Sequence, residues 1–439
     1  MPAILWFRRD LRLGDNPALL AASTAAPDGI LPLFVLDPAL LGPAGRPRKD
    51  FLFAALRSLD ACLEGRLVIR TGDPAAVVAS VAEEIGAGSV HIASDHGPYG
   101  CARDLIVQTR LCVSDRPLVR TGSPYAVCPG SVLRQNGAPY KVFTPFSRAW
   151  VEHGWRQPAE SSLASAKWLT APSEAIPSGS GFVSPTLPAP TEYASLARLE
   201  LVLARSNYGS TRDLPAIDGT SLLSAALRWG LIHPRTVLAR LGPDDDALRD
   251  ELCWREFYAD VVHHQPHSVR ESMSLSGLVW NPPGEHFEAW ALGRTGYPII
   301  DAGMRQLLEQ GWMHNRVRML AASFLVKDLH IDWRLGARHF MRHLVDGDLA
   351  SNSHGWQWSA GTGTDAAPFF RIFNPVLQGK RFDPDGSYVR RFVPEVAHVS
   401  TRWVHEPWRD PAGPPPGYPS PIVDHSMERV TALARLKDA

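Results

Sequence analysis

The densest group of chemically capable side chains lies between Asn352 and Asn374, in the stretch NSHGWQWSAGTGTDAAPFFRIFN. Two tryptophans, a turn rich in glycine, serine and threonine, and an aromatic-arginine-aromatic group follow one another there. A core-forming helix or strand would carry a hydrophobic period of about 3.6 or 2 residues, and this stretch carries neither. We interpret it as a floor for a flat molecule with polar edges.

A second group lies on the helix that is predicted to begin near His314, in the sequence HNRVRMLAASFLVKDL. At about 100° per residue, Asn315, Arg316 and Met319 share one face of this helix. Arg318 points about 60° to the other side of Asn315. The polar face can therefore present two guanidinium groups, while the apolar residues of the same helix seat it against its neighbours.

These two arginines have two possible roles. They are either solvated surface charges or partners of Asp346 and Asp348 in VDGDLASN that help to line a polar cavity. A paired guanidinium and carboxylate neutralise each other and still present directed hydrogen bonds to a bound heterocycle. The second role would connect this helix to the aromatic floor.

The elements that must position these groups change character along the chain. In the first third, short apolar runs alternate with amphipathic stretches, which is typical of βαβ units around a parallel, doubly wound sheet. Asp15-Asn16-Pro17 is a helix start, with a polar cap before proline. No GxGxxG follows any strand, so the dinucleotide fingerprint is absent. The candidate strands are Ala3–Phe7, Ile30–Val35, Leu67–Ile69, Ser89–Ala93 and Leu118–Val119.

The sequence PSGSGFVSPTLPAPT marks a boundary, because such a composition cannot bury enough apolar area to offset the cost of ordering. Beyond Tyr193 the pattern is helical, as in the stripe formed by Ile300, Met304, Leu307 and Leu308. We therefore predict an α/β domain with a doubly wound parallel sheet over residues 1–130. An interdomain linker over 131–192 and an all-α domain over 193–439 follow it.

Composition sets limits on function. The 439 residues exceed what one hydrophobic core supports, and the 45 basic and 45 acidic residues cancel, so a polyanion would need a local basic surface. No run of about 18 apolar residues and no signal peptide are seen, and we expect a cytoplasmic protein. Five cysteines without a CxxC pair predict reduced thiols packed as small hydrophobes, not disulfides or a metal site.

Six ordered motifs resemble the photolyase/cryptochrome family, most closely its class I members that repair cyclobutane pyrimidine dimers in DNA. The opening WFRRDLRLGDNPAL is similar to the N-terminus of that family. The resemblance implies an N-terminal α/β antenna domain and an all-α C-terminal FAD-binding domain. The motifs are WREFY from Trp254, RTGYPIIDAGMRQL from Arg294, GWMHNRVRM from Gly311, FLVKDLHIDWR from Phe324, DGDLASN from Asp346 and GWQWSAGTGTDAAPFFRIFNP from Gly355.

The resemblance also implies a flavin site and an electron route. Asn352 would face flavin N5, where a neutral amide can donate or accept a hydrogen bond as the redox state changes. Small hydroxyls near a helix start suit a pyrophosphate, although GTSLLS alone is also typical of an ordinary N-cap. Electrons would pass along Trp356, Trp333 and Trp280, each of which would otherwise be taken for a core anchor. Reduced FAD would be held by Tyr208, Thr220, Ser221, Leu223, Ser224, Arg318, Asp346, Asp348 and Asn352.

The implied substrate is a pyrimidine dimer in single- or double-stranded DNA, bound by a monomer. A dimer must leave the base stack to reach a buried cofactor, so its pocket needs apolar walls and polar edges. Donors at the lesion carbonyls would stabilise the radical anion formed by light-driven electron transfer. The walls are Trp254, Trp358 and Met319; the polar edges are Glu251, Asn315 and Arg316; the phosphate contacts are Arg212, Arg255, Arg316 and Arg371, with Lys380 as a weaker candidate.

Three alternatives differ in chemistry. Relatives that repair (6-4) photoproducts carry histidines where this chain has Asn315 and Met319, because that repair needs proton transfer. A cryptochrome would sense light and signal to a partner without repair; the complete pocket set argues against it, and we expect no long signalling tail. A plain flavin oxidoreductase would need a nicotinamide site, and the sequence shows none.

Three residues at two places in the chain depart from the family pattern, and the motif at the antenna site is less specific. Leu222 stands where relatives often carry a basic residue, and Ser353-His354 replaces the commoner Asn-Gly, so that His354 could crowd or tune the flavin. The stretch SDHGPYGCARD from Ser94 to Asp104 follows a strand where the second chromophore of the family binds. It favours a deazaflavin over methenyltetrahydrofolate, another flavin or an empty site.

Overall fold

The fold is that of a computed structural model, which describes residues 1–160, 166–205, 207–274, 277–365 and 371–438. The chain divides into two compact units. The sheet unit comprises residues 1–183, 187–206 and 222–266, and the helical unit comprises residues 184–186, 207–221 and 267–439. The domain boundaries expected from the sequence stay a prediction.

A parallel sheet of five strands organises the sheet unit, in the order β3-β2-β1-β4-β5. All five residues of β1 and all seven of β2 are buried, as expected for strands covered on both faces. The strand order reverses between β1 and β4, which is where open α/β sheets bind ligands. Each predicted strand is confirmed with small shifts at its ends: β1 Ala3–Phe7, β2 Ile30–Leu36, β3 Val68–Thr71, β4 Ser89–Ile92 and β5 Leu118–Arg120.

The helices up to residue 264 begin mostly at polar caps or prolines. Asn16 accepts a hydrogen bond from the backbone N–H of Leu19, which confirms the predicted helix start. One helix, Phe143–His153, lies inside the predicted linker, of which residues 161–165 lie outside the described residues. The helices are α1 Pro17–Ala25, α2 Pro38–Leu41, α3 Arg46–Cys62, α4 Pro74–Glu84, α5 Pro98–Cys112, α6 Phe143–His153, α7 Glu192–Leu203, α8 Tyr208–Thr211, α9 Ser224–Trp229, α10 Pro234–Leu238 and α11 Asp246–His264.

Beyond residue 264 the chain is helical, as predicted, and packs around one apolar cluster. The predicted stripe is buried at Ile300, Met304 and Leu307, while Leu308 is half-buried. Short 3-10 turns occupy Pro266–Val269, Pro394–Val396 and Pro407–Arg409. The helices are α12 Gly284–Ala291, α13 Pro298–Gln310, α14 Asn315–Ser323, α15 Trp333–His343, α16 Leu349–Ala360, α17 Pro375–Phe382, α18 Ser387–Phe392 and α19 His425–Asp438.

A π-helix, Phe324–Asp328, continues directly from α14 and packs against α19. Wide turns of this kind are rare and concentrate at functional sites. Two consecutive charged residues, Lys327 and Asp328, are both buried in it. The turn therefore brings charge into the interior of the helical unit, next to helices that carry predicted site residues.

None of the helices that the structure describes is long and apolar enough to span a membrane. The five cysteines are free, but the prediction that they serve as small hydrophobes holds only for Cys253, which is buried. The other four lie on the surface because the helices and turns that carry them turn those positions outward: Cys62, Cys101, Cys112 and Cys128.

Candidate functional site

Arg318 and Asp346 form a two-pronged ion pair inside the helical unit. Arg318 Nη1 lies 3.2 Å from Asp346 Oδ1, and Nη2 lies 2.8 Å from Oδ2. Arg318 Nε donates to the carbonyl oxygen of Met313 at 2.7 Å. The Asp346 side chain is 1% exposed and that of Arg318 is 23% exposed, so the carboxylate is buried and the guanidinium reaches outward. Two of the five N–H donors of an arginine lie outside these bonds.

Arg316 has a different partner from the one considered in the sequence. It pairs with Asp213, with Nη2 2.7 Å from Oδ2, rather than with Asp346 or Asp348. Its guanidinium lies over the ring of Phe382 at 4.5 Å. A carboxylate 103 residues away leaves no local trace in the sequence, which explains the incorrect pairing.

The predicted polar face of α14 is accessible in the structure. Asn315 is exposed, and Arg316, Arg318 and Met319 are half-buried, whereas Val317 is fully buried. His314 caps the helix by accepting a hydrogen bond from the N–H of Arg316, and burial lowers the pKa of His314 to about 4. The helix start is thus held by a neutral imidazole, and the side chains that follow it face outward.

Helix α16 carries an accessible stripe made of Asn352, Gly355 and Trp358. All three are half-buried at spacings of three residues, which places them on one face. A Cβ added to Gly355 would meet no atom within 4 Å, so the glycine leaves open space between the amide and the indole. Asp348 fixes the start of the helix by accepting hydrogen bonds from the N–H groups of Ala350 and Ser351. The stripe is therefore a cradle on a rigid element.

The orientation of the Asn352 amide follows from its neighbour. Nδ2 donates to the carbonyl oxygen of Ala337 on α15 at 3.0 Å. Because a carbonyl oxygen can only accept, the amide nitrogen must point toward Ala337 and Oδ1 must point away. Asn352 thus offers an acceptor from the cradle.

The opposite face of α16 is fastened to the segment around residue 268. Gln357 Nε2 donates to the Ser268 carbonyl oxygen at 2.6 Å, and Ser353 Oγ donates to the Val269 carbonyl oxygen at 3.1 Å. His354 is 1% exposed, lies 3.2 Å from Ser268 Oγ, and has a pKa lowered to about 4 by burial. His354 is therefore a neutral packing residue on the side of α16 away from the cradle.

The three tryptophans of the predicted electron route belong to one apolar cluster of the helical unit. Trp356 is 2% exposed and Trp333 is 1% exposed, while Trp280 is half-buried against the same cluster. Trp333 Nε1 donates to Ser272 Oγ at 3.1 Å, whereas Trp356 Nε1 is buried without a partner among the described residues. Burial thus decreases from Trp356 and Trp333 to Trp280, as a route toward the surface requires.

The sequence reasoning missed Trp290, which contacts Trp356 edge to face with ring centroids 5.9 Å apart. Trp290 is fully buried on α12 and donates from Nε1 to the Ala321 carbonyl oxygen. The ring of Phe340 also packs against Trp356, with centroids 4.9 Å apart. A lone tryptophan in an amphipathic helix gives no signal of such a neighbour, because the contact joins distant parts of the chain.

The residues predicted around the flavin phosphates fall in both units. Tyr208, Thr220 and Ser221 lie in the helical unit, and Leu223 and Ser224 lie in the sheet unit. The alternative of an ordinary capped helix is not realised, because α9 begins at Ser224 after Leu223 without a side-chain cap.

Two features make the backbone unusual in this segment. Leu222 adopts φ of 54°, a left-handed conformation that costs energy for a leucine. A Cβ at Gly219 would approach the Thr211 carbonyl oxygen to 2.4 Å, so only glycine fits there. The surrounding structure must therefore compensate the energetic cost of the backbone at Leu222.

Helix α11 carries Glu251, Trp254 and Arg255 in the sheet unit. The ring of Phe143 stacks on Trp254 with centroids 3.7 Å apart and planes 5° apart, a contact that the sequence did not suggest. Arg255 donates to the carbonyl oxygens of Pro124 and Leu227 and lies 4.6 Å over the Tyr125 ring. Glu251 is half-buried, as is Trp254.

The remaining cations predicted to contact phosphates differ in their surroundings. Arg212 ends α8 in the helical unit and is half-buried, and Arg371 is exposed. Lys380 on α17 pairs with Glu406, which also pairs with Arg409. Arg371 and Lys380 are both exposed, but the charge of Lys380 is already compensated.

A narrow crevice with an enclosed volume of about 10 Å³ lies where the strand order reverses between β1 and β4. Burial alone would raise the pKa of Asp95 there, but Arg9, Arg103 and Arg8 lower it to about 2. The Oδ2 atom of Asp10 is buried without a partner among the described residues. The crevice is lined by Arg8, Arg9, Asp10, Ala93, Ser94, Asp95 and Pro124.

Comparison with known proteins identifies the family to which both parts of the chain are similar. Residues 3–164 match the family described as DNA photolyase, and residues 248–438 match the family described as FAD binding domain of DNA photolyase. A deoxyribodipyrimidine photo-lyase from Agrobacterium fabrum strain C58 is 40% identical over 471 aligned positions, which cover 99% of this chain and 97% of the relative.

Two solved structures share the fold over the full chain. A bacterial class III photolyase from Agrobacterium tumefaciens has a TM-score of 0.91 at 37% identity, covering 100% of this chain and 98% of that one. An archaeal photolyase from Sulfolobus tokodaii, solved with two FAD molecules, has a TM-score of 0.90 at 30% identity, with both chains fully covered.

Proposed function

Because the chain belongs to the DNA photolyase family, we infer that it is a deoxyribodipyrimidine photolyase, a lyase that splits cyclobutane pyrimidine dimers in DNA. Curated relatives at similar identity over nearly the whole chain carry this activity in their names. The structural observation that carries the inference is the α16 stripe, where an amide, an open glycine position and an indole share one accessible face.

FAD fits the chemistry of this stripe and of its surroundings. The open position at Gly355 admits a flat ring, and the Arg318–Asp346 pair offers N–H donors beside a buried carboxylate. When bound, reduced FAD would supply one electron after absorbing light and would regain it once the ring has opened, so that the two carbon–carbon bonds of the cyclobutane ring would break without net redox change. Tyr208, Thr220, Ser221, Leu223 and Ser224 would hold its phosphates and ribose, and Arg318, Asp346, Asp348 and Asn352 its rings.

The fixed orientation of the Asn352 amide determines how this residue would interact with the flavin. With Nδ2 engaged by Ala337, the amide presents Oδ1 and therefore accepts a hydrogen bond. A reduced flavin carries a proton on N5 and an oxidised flavin does not, so an acceptor at this position favours the reduced ring. Asn352 would thus help to keep the cofactor in the state that repair requires.

The lesion would be held by apolar surfaces and polar edges. Trp254, Trp358 and Met319 would pack against the everted bases, since flat hydrophobic faces replace the stacking that the bases lose. Glu251 would accept a hydrogen bond from a pyrimidine N–H. Asn315 and Arg316 would donate to the pyrimidine edges where negative charge develops, because donors placed in advance need no reorganisation. Arg316 is suited to this task because Asp213 and Phe382 fix its guanidinium.

Cations on either side would hold the DNA backbone without reading its sequence. Arg371 is exposed and Arg212 is half-buried, while Arg255 already donates to two carbonyl oxygens. We assign the phosphate contacts to Arg212, Arg316 and Arg371 first, with Arg255 and Lys380 in supporting positions. We also propose that the protein acts as a monomer in the cytoplasm.

A second chromophore, a deazaflavin, is proposed for the crevice between β1 and β4. The enclosed space there is only about 10 Å³, which is room for roughly one water molecule, so a ring system would bind only after the surrounding side chains move. The unpartnered Oδ2 of Asp10 could accept from a ring N–H, and Arg8 and Arg9 could face an anionic oxygen. An absorption spectrum of the purified protein after denaturation would identify the released chromophore.

The function is tested with one thymine dimer in a defined oligonucleotide. Protein loaded with reduced FAD is mixed with this oligonucleotide, exposed to blue light, and sampled by chromatography. We expect light-dependent conversion of the dimer to two thymines, no conversion in the dark, and no conversion of a (6-4) photoproduct. Intact dimer after prolonged illumination of the flavin-loaded protein would instead support a blue-light receptor that signals without repair.

A further inference from the structure

The contact between Phe143 and Trp254 is closer and flatter than most aromatic pairs. Their ring centroids are 3.7 Å apart and their planes differ by 5°. Aromatic pairs in proteins usually keep centroids about 4.5–7 Å apart in offset or edge-to-face arrangements. One face of the Trp254 indole is therefore covered by Phe143, and a ligand can stack only on the other.

We propose that Phe143 is a positioning residue that fixes the plane of Trp254 for a damaged base. The proposal rests on the proposed function, in which Trp254 forms a wall of the lesion site. It adds a residue from α6, outside the motifs that suggested the site, and a reason why the indole is ready before the lesion arrives.

Other rings restrict the remaining motions of Trp254. Phe257 meets the indole edge to face at 5.8 Å and 76°, and Tyr258 lies tilted against it at 5.4 Å. Phe257 also contacts Phe143 at 6.0 Å and 72°. Stacking on one face and contacts at the edges together oppose rotation of the indole about its side-chain bonds.

Phe143 is itself held by the packing of α6 against α11. Trp150 on α6 is fully buried and donates from Nε1 to Glu256 Oε2 at 2.7 Å. Glu256 also accepts from the backbone N–H groups of Ala126 at 2.5 Å and Val127 at 3.0 Å. A buried carboxylate with three donors anchors the two helices to each other, so Phe143 cannot easily move away from Trp254.

Fixing the indole in advance lowers the entropy that is lost when a base packs against it. An aromatic pair of this kind contributes an amount that corresponds to about a two- to tenfold change in affinity. Removing the Phe143 ring should therefore weaken lesion binding by that factor. Binding to undamaged DNA should not change, because it places no base against Trp254.

The test compares F143L, which removes the aromatic face, with F143Y, which keeps it. F146L is the matched control, because Phe146 lies on the same helix and its ring contacts Phe257 at 5.1 Å and Tyr140 at 6.2 Å. Dissociation constants are measured for flavin-loaded protein with dimer-containing and undamaged oligonucleotides, alongside melting temperatures.

The preference for damaged DNA is the dissociation constant for the undamaged oligonucleotide divided by that for the dimer-containing one. We expect this ratio to fall two- to tenfold in F143L and to stay at the wild-type value in F143Y. F146L should lower the melting temperature without changing the ratio. Equal ratios in F143L and F146L would overturn the proposal, because the role of Phe143 would then be general packing.

A second readout needs neither flavin nor repair. With 5-fluorotryptophan incorporated, the resonance of Trp254 is identified by its absence in W254F. We expect one narrow, shifted signal in the wild type and F143Y, and a signal near that of a solvated indole in F143L. A wild-type protein that fails to repair dimers but shows these signals would refute the proposed function alone, whereas identical signals in F143L and the wild type would refute the role of Phe143.

Discussion

Lys327 donates from Nζ to the carbonyl oxygen of Ala360, 2.8 Å away, and no carboxylate pairs with it within the ranges that the structure describes. The lysine is 4% exposed, and burial lowers its pKa from 10.5 to about 8. A buried ammonium without a counter-charge opposes folding as long as it is protonated. The helical unit therefore keeps this charge at a cost in stability.

Replacing Lys327 with methionine should stabilise the protein at pH 7. Between pH 8 and 10.5 the unfolded chain holds a proton on this lysine that the folded chain has released. The buried ammonium therefore lowers the free energy of unfolding by its full amount below pH 8 and has no effect on it above pH 10.5. Removing it should raise the free energy of unfolding by about 2 kcal/mol at pH 7, after allowing about 1 kcal/mol for the lost hydrogen bond. Urea unfolding at pH 7 and pH 10 measures this.

The exposed lysine of α19 supplies the control, as K437M. The gain in K327M should shrink toward zero at pH 10, and K437M should change little at either pH. A lower stability of K327M at pH 7 would mean that the bond to Ala360 outweighs the cost of the charge.

His354 should make the protein sensitive to acid. Its pKa is lowered to about 4 by burial, so as pH falls from 6.5 to 4 the unfolded chain takes up a proton that the folded chain does not. The wild type should therefore lose about 2 to 3 kcal/mol relative to H354Q between pH 7 and pH 4.5. Parallel stability profiles in urea would contradict this, and H286Q, at an exposed histidine, controls for the loss of an imidazole.

The Arg318–Asp346 pair should be necessary for flavin retention. D346N leaves Arg318 without its counter-charge, and breaking a largely buried pair on one side costs roughly 3 kcal/mol. We expect the purified variant to lose most of its FAD, measured as the flavin-to-protein absorbance ratio after gel filtration. E84Q breaks the comparable but accessible pair with Arg70 and should retain the flavin fully. Equal retention in both variants would show that the pair does not serve the cofactor.

Substitutions of Trp356 and Trp290 should distinguish a role in electron transfer from a role in packing. Both indoles are buried and contact each other, but only Trp356 belongs to the predicted route. W356F should abolish light-driven reduction of oxidised bound FAD and still repair dimers once the flavin is reduced chemically. W290F should keep both reactions. Equal loss of photoreduction in the two variants would move the route to Trp290.

Arg316 and Arg255 should affect DNA binding differently. R316Q removes a guanidinium from the accessible face of α14, so the slope of log affinity against log salt should fall by about 1. R255Q breaks bonds to the Pro124 and Leu227 carbonyl oxygens and should mainly lower the melting temperature. Dissociation constants at several salt concentrations test both. A salt slope unchanged in R316Q but reduced in R255Q would reverse the assignment.

Local sequence patterns predict much of the fold and part of the candidate site. The strands were predictable because each is a short, continuously apolar run, as in β1 with AILWF. The accessible face of α14 follows from helical periodicity, since Asn315 and Met319 lie one turn apart. The start of α1 follows from the capping preference of Asn16. Helix α16 was not predicted, because its residues from Asn352 onward carry no clean hydrophobic period, although the structure is helical over Leu349–Ala360.

The relationships that escaped prediction all join distant positions. Asp213 pairs with Arg316 across 103 residues, and Phe143 stacks on Trp254 from a different helix. No periodicity or motif records which distant ring or charge will arrive beside a given side chain. The acceptor orientation of Asn352 was likewise invisible, because it is set by the carbonyl oxygen of Ala337 on a neighbouring helix.

The wide turn at Phe324–Asp328 has an evolutionary consequence. It lets two adjacent charges reach separate partners, Lys327 the carbonyl oxygen of Ala360 and Asp328 the imidazole of His425 at 2.5 Å. A homologue that lost one residue here would regain ordinary helical pitch. One of the two charges would then be buried in an apolar interior without its partner. Such deletions can therefore survive only together with a neutral replacement at position 327 or 328, so chain length and charge must change as a pair.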